Sequence, residues 1–423
     1  MHIVISKVTT SMKLSEELLW RDQIKDKTFD DITYLDTPKT FYLGVDCSAP
    51  SMTIGNLAVF MTARRLLDAG WNTVLLVGGA TSLIGDPGGK NDERPLKSRE
   101  EIAANVAAIK QQVERLFSGK EFTLVDNYDW FKDVGYLEFL RDVGKHFSMT
   151  ELVQRDYIAN RIGEGGGGIS YAEFSYNLIQ GYDFWHLFTK QGVELQIGGS
   201  DQWGNMLSGV PLIRKKDNAQ VHAMSIPLVI NKATGKKFGK SEGGAVWLDQ
   251  DLTSPYQFYQ FWLNVDDEGV EDYLKVYTLL SKPDIDQIME RFRQNPAERH
   301  AQKALAYEVT KLVHGAERAD SVKRISEVLF GNGDYSTLTT DDFIELGKEL
   351  GVVPASTTDL AELLVEGKLA GSKSEARRFI TSGAVYANGV QLPADTTDLS
   401  DAAFMQGYCI VRRGKNTQTV VKQ

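Results

Sequence analysis

The run Thr73-Val-Leu-Leu-Val-Gly78 has the length of a strand and no polar interruption. A strand covered on both faces reads this way, whereas a strand with one wet face alternates apolar and polar residues. Phe41-Tyr-Leu-Gly-Val-Asp46 precedes it as a second strand, and Gly55 to Leu67 reads as a helix between them. Strand, loop, helix and strand in that order form a βαβ unit, so the chain is expected to build an α/β fold around a nucleotide-type parallel sheet. Ile102, Val106, Ile109, Val113 and Leu116 recur at steps of four and three, which predicts one face of a further amphipathic helix.

At 423 residues the chain is too long for one ordinary core, and two or three domains are expected. Hydrophobic content of 42% and charged content of 25% describe a globular protein, and no apolar stretch reaches the length of a membrane span. The opening Met1-His-Ile-Val-Ile-Ser-Lys7 is too short an apolar run for a signal peptide. A net charge of −10 argues against wholesale nucleic-acid binding but leaves room for a local RNA surface. Cys47 and Cys409 offer neither a disulfide framework nor a zinc site, which points to a reducing cytosol. Six scattered histidines, with no HExxH spacing, disfavour a metallohydrolase.

The glycine run Gly165 to Gly168 has no strand–helix context and reads as a loop. After Trp247 the texture turns helical and charged, and the stretches around Gly331 and from Val353 to Thr358 read as linker. The tail from Asp359 holds eight Lys/Arg against seven Asp/Glu, so most of the negative charge lies elsewhere. Lys373, Arg377 and Arg378 share a predicted helix, and Arg412, Arg413 and Lys415 form a second basic cluster. Clustered cations on an acidic protein suggest an RNA contact, with a solvated helix face as the plain alternative.

Two glycine-centred segments bracket the chemistry: Ser51-Met-Thr-Ile-Gly-Asn56 and Lys236-Lys-Phe-Gly-Lys-Ser241. The second carries three lysines within five residues, suited to meeting phosphate, although a lysine-rich hairpin tip has the same composition. Thr81 to Lys90 follows the second strand as a glycine-bearing loop, and its spacing excludes a P-loop. Tyr176, Gln180 and Asp183 lie on one face of a helix that is otherwise apolar. Polar groups on a face that should be buried need partners, which a polar ligand or an internal network supplies. Leu195 to Asn205 adds a strand end, two adjacent glycines and polar side chains, a composition suited to a ribose or amino-acid contact.

In order and spacing, Tyr42-x-Gly-x-Asp46, Thr53-Ile-Gly-Asn56, Gly78-Gly-Ala-Thr-x-Leu-Ile-Gly-Asp-Pro87, Glu173-Phe-Ser-Tyr176, Gln196-Ile-Gly-Gly-Ser-Asp-Gln-Trp-Gly-Asn205 and Lys237-Phe-Gly-Lys-Ser241 resemble the bacterial tyrosyl-tRNA synthetases, class I aminoacyl-tRNA synthetases. The resemblance runs from about Tyr42 to the C-terminus. It implies a Rossmann-like catalytic domain over residues 1–247 with an inserted dimerisation region, an α-helical anticodon-side domain over 248–350, and a small α+β S4-like RNA-binding domain over 356–423. It further implies a cytoplasmic homodimer that joins L-tyrosine to tRNA(Tyr) through tyrosyl-adenylate, with ATP as substrate and Mg²⁺ on its phosphates. Tyr42 and Asp183 would bind the substrate phenol, and Asp86, Tyr176 and Gln180 its ammonium group. Gln202 would lie near the reacting carboxylate. Gly199 and Asp201 would meet the adenosine ribose, and Gly55 would let adenine pack on the helix start. Ser48, Thr53, Lys90, Arg94, Lys237 and Lys240 would surround the phosphates, with Asn56 and Ser241 completing the ATP site. Lys373, Arg377, Arg378, Arg412 and Arg413 would contact RNA.

The first signature departs from the family's usual His-Ile-Gly-His: Thr53 and Asn56 stand where imidazoles are expected, and Leu43 and Cys47 also differ. Thr53 is expected to reach phosphate directly or through water. Two alternatives stay open: an RNA-binding relative that has lost catalysis, and a synthetase for another aromatic amino acid such as tryptophan. Tyr42 with Asp183 favours a phenol.

Overall fold

A computed structural model describes residues 12–87, 97–163, 166–232, 234–241, 244–330, 333–355, 359–400, 403–414 and 417–423, and of Asp156, Tyr157, Lys240 and Ser241 the backbone alone. The chain divides into two compact units, Met1–Ser254 with Phe261–Val313, and Pro255–Gln260 with His314–Gln423.

The first unit is built on five parallel strands, β1 (Thr40–Asp46), β2 (Asn72–Gly78), β3 (Thr123–Asp126), β4 (Leu195–Gly199) and β5 (His222–Ile226), in the spatial order β3-β2-β1-β4-β5. The order reverses between β1 and β4, where Phe41 pairs with Leu195 and Leu43 with Ile197. Such a reversal opens a crevice at the carboxyl ends of the two strands, because their following connections leave in opposite directions. This is the expected α/β, Rossmann-like sheet. Helix α1 (Leu14–Trp20) precedes the sheet, and α2 (Ile54–Asp68) connects β1 to β2. Ile54, Leu57, Ala58, Phe60, Met61 and Leu66 form the buried side of α2. It ends as Gly70 turns to φ +91, and Trp71 N–H bonds back to Leu66 O at 3.0 Å.

Two arginines fasten the helix Val270–Tyr277 to this framework. Arg21 donates to Lys275 O at 2.7 Å and Leu280 O at 2.6 Å. Arg65, from α2, donates through one nitrogen to Lys275 O, Val276 O and Thr278 O at 3.0, 3.2 and 2.6 Å. The last carbonyls of a helix lack intrahelical partners and carry partial negative charge, so a cation here satisfies both needs. Burial pulls both guanidinium pKa values down from their ordinary level, and Glu17, 2.8 Å from Arg21 and 3.9 Å from Arg65, opposes that shift.

The second unit carries a mixed sheet with spatial order Val390–Gln391, Val385–Ala387, Tyr408–Arg413, Thr417–Lys422, Val352–Pro354, parallel at the last pair and antiparallel elsewhere. Alternation along its strands divides the buried side chains between two faces. Cys409, Val411 and Val421 pack with the helices Leu360–Glu366 and Lys373–Thr381. Tyr408, Ile410 and Val420 pack with Phe343 and Leu346 of the helix Thr340–Leu350 and with Ile325 and Val328 of Ala316–Phe330. The expected helical stretch 248–350 is thus shared between the two units. Among the described residues, no helix is long and apolar enough to cross a membrane.

Arg65→Lys keeps the charge but cannot reach three carbonyls through one planar group. The substitution is expected to lower unfolding free energy by roughly 1–3 kcal/mol, the cost of leaving buried polar groups unpaired. Urea denaturation of the two proteins measures the difference.

Candidate functional site

A cleft of about 310 Å³ opens at the β1–β4 reversal, lined by residues from both strands, the start of α2, the helix Tyr171–Gln191 and the segment after β4. Tyr42, Ser48, Thr53, Gly55, Asn56, Asp86, Tyr176, Gln180, Asp183, Gly199, Asp201, Gln202 and Lys237 all line it. Residues spread from β1 to the lysine-bearing loop therefore meet in one place. Lys90 and Arg94 lie outside the described residues, as do parts of the glycine run (Gly165) and the linkers (Gly331, Thr358), and Lys415. Lys240 and Ser241 form a two-residue strand paired with Gly244–Ala245.

The deep end is polar and closed. Asp183, 2% exposed, accepts from Asn127 Nδ2 at 3.1 Å and from Trp130 Nε1 at 2.9 Å. Burial pushes its carboxyl up to about 8, against the pull of those two hydrogen bonds. Tyr42 lies tilted against Phe184 with centroids 5.4 Å apart, and among the described residues its buried hydroxyl has no hydrogen-bond partner. Burial first, then the charge of Asp183, raises the Tyr42 phenol well above its ordinary value. Gln196 from β4 brings a second orphan, a buried Oε1. Buried groups of this kind cost free energy unless something supplies the missing bond, so the pocket is shaped for a polar guest.

Above this end, Tyr176 donates to Asp46 Oδ2 at 2.9 Å, and Thr81 donates to Asp46 Oδ1 at 2.7 Å. Gly78 is needed beside them: a Cβ would stand 2.2 Å from Thr81 Oγ1 and 2.5 Å from Asp46 Oδ1. Asp86 accepts from Gln202 Nε2 at 2.6 Å and from Asn205 Nδ2 at 3.3 Å, and Asn205 also donates to Gln202 Oε1 at 2.9 Å. Carboxylates and amides thus concentrate acceptors where a cation would sit. Sequence reasoning gave no role to Asp46, Thr81, Asn127, Trp130, Gln196 or Asn205. Asp46, Thr81, Gln196 and Asn205 stand within the family-like motifs of the sequence. Asn127 and Trp130 have one usable signal, their place just past the end of β3, at the same edge of the parallel sheet as the cleft.

At the open end the first signature segment pairs with the stretch just past the second. Ile54 N–H donates to Val246 O at 3.1 Å and Leu248 N–H to Met52 O at 2.9 Å. Gly239, at φ +106, approaches so closely that a Cβ would lie 3.0 Å from Ile54 Cγ1. Phe238 anchors the loop, stacked on Tyr273 at 4.2 Å and close to Trp262 and Tyr277. Lys237 Nζ lies 3.1 Å from Asp201 Oδ2, with both side chains about half exposed. Gly199 leaves room for that carboxylate, since a Cβ there would meet Asp201 Oδ1 at 2.7 Å. Thr53 gives its hydroxyl proton to Asn56 Oδ1 at 3.0 Å, and its backbone N–H also donates to Asn56 Oδ1, at 2.9 Å. The hydroxyl expected to reach phosphate therefore points its only hydrogen at a neighbour.

The state of Asp183 is testable without a ligand. Its folded value of about 8 lies above the ordinary carboxylate value of roughly 4. The folded form therefore binds the proton more tightly, and this group's contribution to stability is complete below about pH 4 and lost as pH rises through about 8. Unfolding free energy measured across that window should fall more steeply for the natural protein than for Asp183→Asn, which does not titrate.

Comparison with known proteins places this geometry. The family model described as tRNA synthetases class I (W and Y) matches residues 35–331, and that for the tyrosine–tRNA ligase SYY-like C-terminal domain matches residues 348–421. Curated tyrosine–tRNA ligases from Geobacillus kaustophilus and Bacillus caldotenax are each 44% identical over 422 residues, covering 97% of this chain and 100% of theirs. The crystal structure of a C-terminally truncated Aspergillus nidulans mitochondrial tyrosyl-tRNA synthetase superposes with a TM-score of 0.68 at 34% identity, over 75% of this chain and 94% of that one. The chain belongs to the class I tRNA synthetases of the tryptophan and tyrosine group, among the tyrosine–tRNA ligases.

Proposed function

We propose that this protein is a tyrosine–tRNA ligase that activates L-tyrosine with ATP and passes the tyrosyl group to the 3′-terminal adenosine of tRNA(Tyr). The observation that carries this reading is the closed end of the cleft, where an unpartnered Tyr42 hydroxyl and the buried Asp183 share one pocket. A phenol fits both. Phenylalanine leaves them unpaired, and a site built to hydrogen-bond a hydroxyl rejects the analogue that lacks it.

The tyrosine carboxylate attacks the α-phosphorus of ATP, the bond to the bridging oxygen breaks, and pyrophosphate leaves with the electron pair. A ribose hydroxyl of the terminal adenosine then attacks the acyl carbon, and AMP departs. A carboxylate is already nucleophilic, so positioning and charge stabilisation carry the rate. Asp86, Tyr176 and Gln180 hold the ammonium group, with Gln202 beside the reacting carboxylate. Gly199 and Asp201 take the ribose, and Gly55 receives adenine at the start of α2. Ser48, Asn56, Lys90, Arg94, Lys237, Lys240 and Ser241 serve ATP and its phosphates. Mg²⁺ arrives as the ATP complex and, when bound, spreads the phosphates' negative charge. Among the described residues no group of three or more His, Cys, Asp or Glu side chains is placed to hold a metal ion.

The RNA surface lies on the second unit. Arg377 and Arg378 are exposed on the helix Lys373–Thr381. Arg412 lies over Tyr386 at 4.1 Å and Arg413 over Phe379 at 4.8 Å, while Lys373 pairs with Glu362 at 3.0 Å. Arg377 and Arg378 therefore meet RNA phosphate most directly, with the stacked arginines beside them. A homodimer fits the segment 136–171, which exposes Tyr136, Leu137, Met149, Ile162 and Tyr171. Trp130 stacks on His186 at 4.4 Å while holding Asp183, which ties the tyrosine pocket to the region beside that surface.

Tyrosine-dependent ATP–pyrophosphate exchange is the direct test, and its absence would overturn the assignment in favour of an RNA-binding relative. Exchange should need tyrosine and stay at background with phenylalanine or tryptophan. Asp183→Asn should lower kcat/KM for tyrosine by roughly 5- to 100-fold, as expected when a buried hydrogen-bond partner is left unsatisfied. Arg377→Glu with Arg378→Glu should leave exchange intact and weaken tRNA charging. Point changes are preferable to deleting the tail, because Tyr408, Ile410 and Val420 share a core with Phe343 and Leu346. Leu137→Glu should shift the protein from dimer to monomer in sedimentation equilibrium.

A further inference from the structure

Thr53 and Asn56 occupy the start of α2, and their hydrogen bonds assign them unequal parts. Thr53 is the residue before the first helical position, with extended backbone at φ −108 and ψ 171. Asn56, three residues on, reaches back to it. The Asn56 Oδ1 atom accepts from Thr53 N–H at 2.9 Å and from the Thr53 hydroxyl at 3.0 Å. A backbone N–H can only donate, so it decides which end of the amide faces the helix start: the oxygen. With two donors on its oxygen, the amide is held in one orientation.

Two consequences follow from this count of donors. A threonine hydroxyl has a single hydrogen, and here that hydrogen is directed at Asn56, leaving none for a phosphate oxygen. The Asn56 amide nitrogen, with two hydrogens, has no hydrogen-bond partner among the described residues, and Asn56 lines the cleft. It is the donor that this signature offers to a ligand. The surroundings keep Thr53 in place. Its residue position bridges to Trp247 and the next N–H bonds to Val246 O at 3.1 Å. Gly55 lies beside the hydroxyl, since a Cβ there would stand in ordinary contact, 3.4 Å from Thr53 Oγ1.

We infer that Thr53 is a positioning residue that acts on ATP only through Asn56, locking the amide so that its nitrogen faces the nucleotide, and does not itself bind phosphate. A single oriented amide then does the work for which two imidazoles are expected at this signature. The inference rests on the reading of the cleft as an ATP site.

A double-mutant cycle in tyrosine-dependent ATP–pyrophosphate exchange tests it, using the full-length natural protein, Thr53→Val, Asn56→Ala and the double variant. Activity of the natural protein is measured first. Its absence would count against the ATP site itself, whereas activity without coupling would count against this inference alone. Thr53→Val is expected to lower kcat/KM for ATP about fivefold and Asn56→Ala by about tenfold or more, the range for one hydrogen bond. The double variant should match Asn56→Ala within about twofold, because the threonine has nothing left to position. Both single changes should fall on the same parameter, kcat or KM, and Thr53→Ser should return activity to within about twofold of the natural protein. Tyrosine affinity, read by equilibrium dialysis, should stay unchanged in all of them and reports folding; Thr53→Ala replaces Thr53→Val in the cycle if that protein does not fold. Multiplicative losses in the double variant would mean that Thr53 meets ATP directly, and no loss in Thr53→Val would make it a bystander. Either result overturns the inference.

Discussion

Two backbone hydrogen bonds, Ile54 N–H to Val246 O and Leu248 N–H to Met52 O, tie the first signature segment to the stretch that follows the second, and Val246 N–H bonds back to Gly239 O at 3.1 Å. They bring the loop that bears Lys237 against the start of α2, where both line the cleft. Side chains secure the same junction. Ser51 Oγ accepts from Asp249 N–H at 3.1 Å, and Gln112 Oε1 accepts from Met52 N–H at 2.9 Å. Main-chain pairing suits this task, since it fixes geometry without placing bulk between the segments. The close approach of Gly239 to Ile54 is possible only because Gly239 has no Cβ and tolerates a positive φ.

The polar groups in the cleft divide by how firmly they are held. Asp183 is buried and doubly bonded, so its position is set before any ligand arrives. Tyr42 and Gln196 each keep a buried oxygen unpaired, a cost of about 1–3 kcal/mol per group that a ligand can relieve. The pair of Lys237 with Asp201 is of another kind. Both side chains are about half exposed, and ion pairs in that setting contribute at most about 1 kcal/mol. Such a pair gives up either partner to a ligand at little cost. Rigid recognition at the closed end and easily exchanged contacts at the open end suit a site that selects an amino acid and then handles charge moving along a phosphate chain.

The core of this arrangement was legible in the sequence where burial leaves a plain pattern. Strands expected at 41–46 and 73–78 appear as Thr40–Asp46 and Asn72–Gly78, and the helix expected at 55–67 appears as Ile54–Asp68. The second strand is buried from Thr73 to Gly78 and the first from Phe41 to Leu43, and the helix carries a broad apolar side. The strand Thr123–Asp126 gave no such signal, being four residues long with no fully buried position. Asn127 and Trp130, whose one signal is their place just past that strand, go unmarked with it, although they hold the Asp183 carboxylate. The Thr53 hydroxyl marks a different limit. Sequence establishes that a hydroxyl is present, but which of several nearby acceptors takes its proton is decided by backbone angles at a helix start.

A closed circuit of contacts explains why α2 serves both as a wall of the cleft and as structural hub. Its first turn is bonded to Val246, beyond the lysine-bearing loop. Within that loop Phe238 rests on Tyr273 and Tyr277 of the helix Val270–Tyr277. That helix is held at its carboxyl end by Arg65, which returns the path to α2 one face further along. Each contact in the circuit restrains the next, so a shift at the Arg65 end cannot be absorbed locally; packed elements transmit displacement because interiors have few voids to take it up. The arginine therefore does more than close a helix end. By fixing where Tyr273 and Tyr277 lie, it fixes the bed of Phe238, and through Phe238 the distance at which Lys237 meets the cleft.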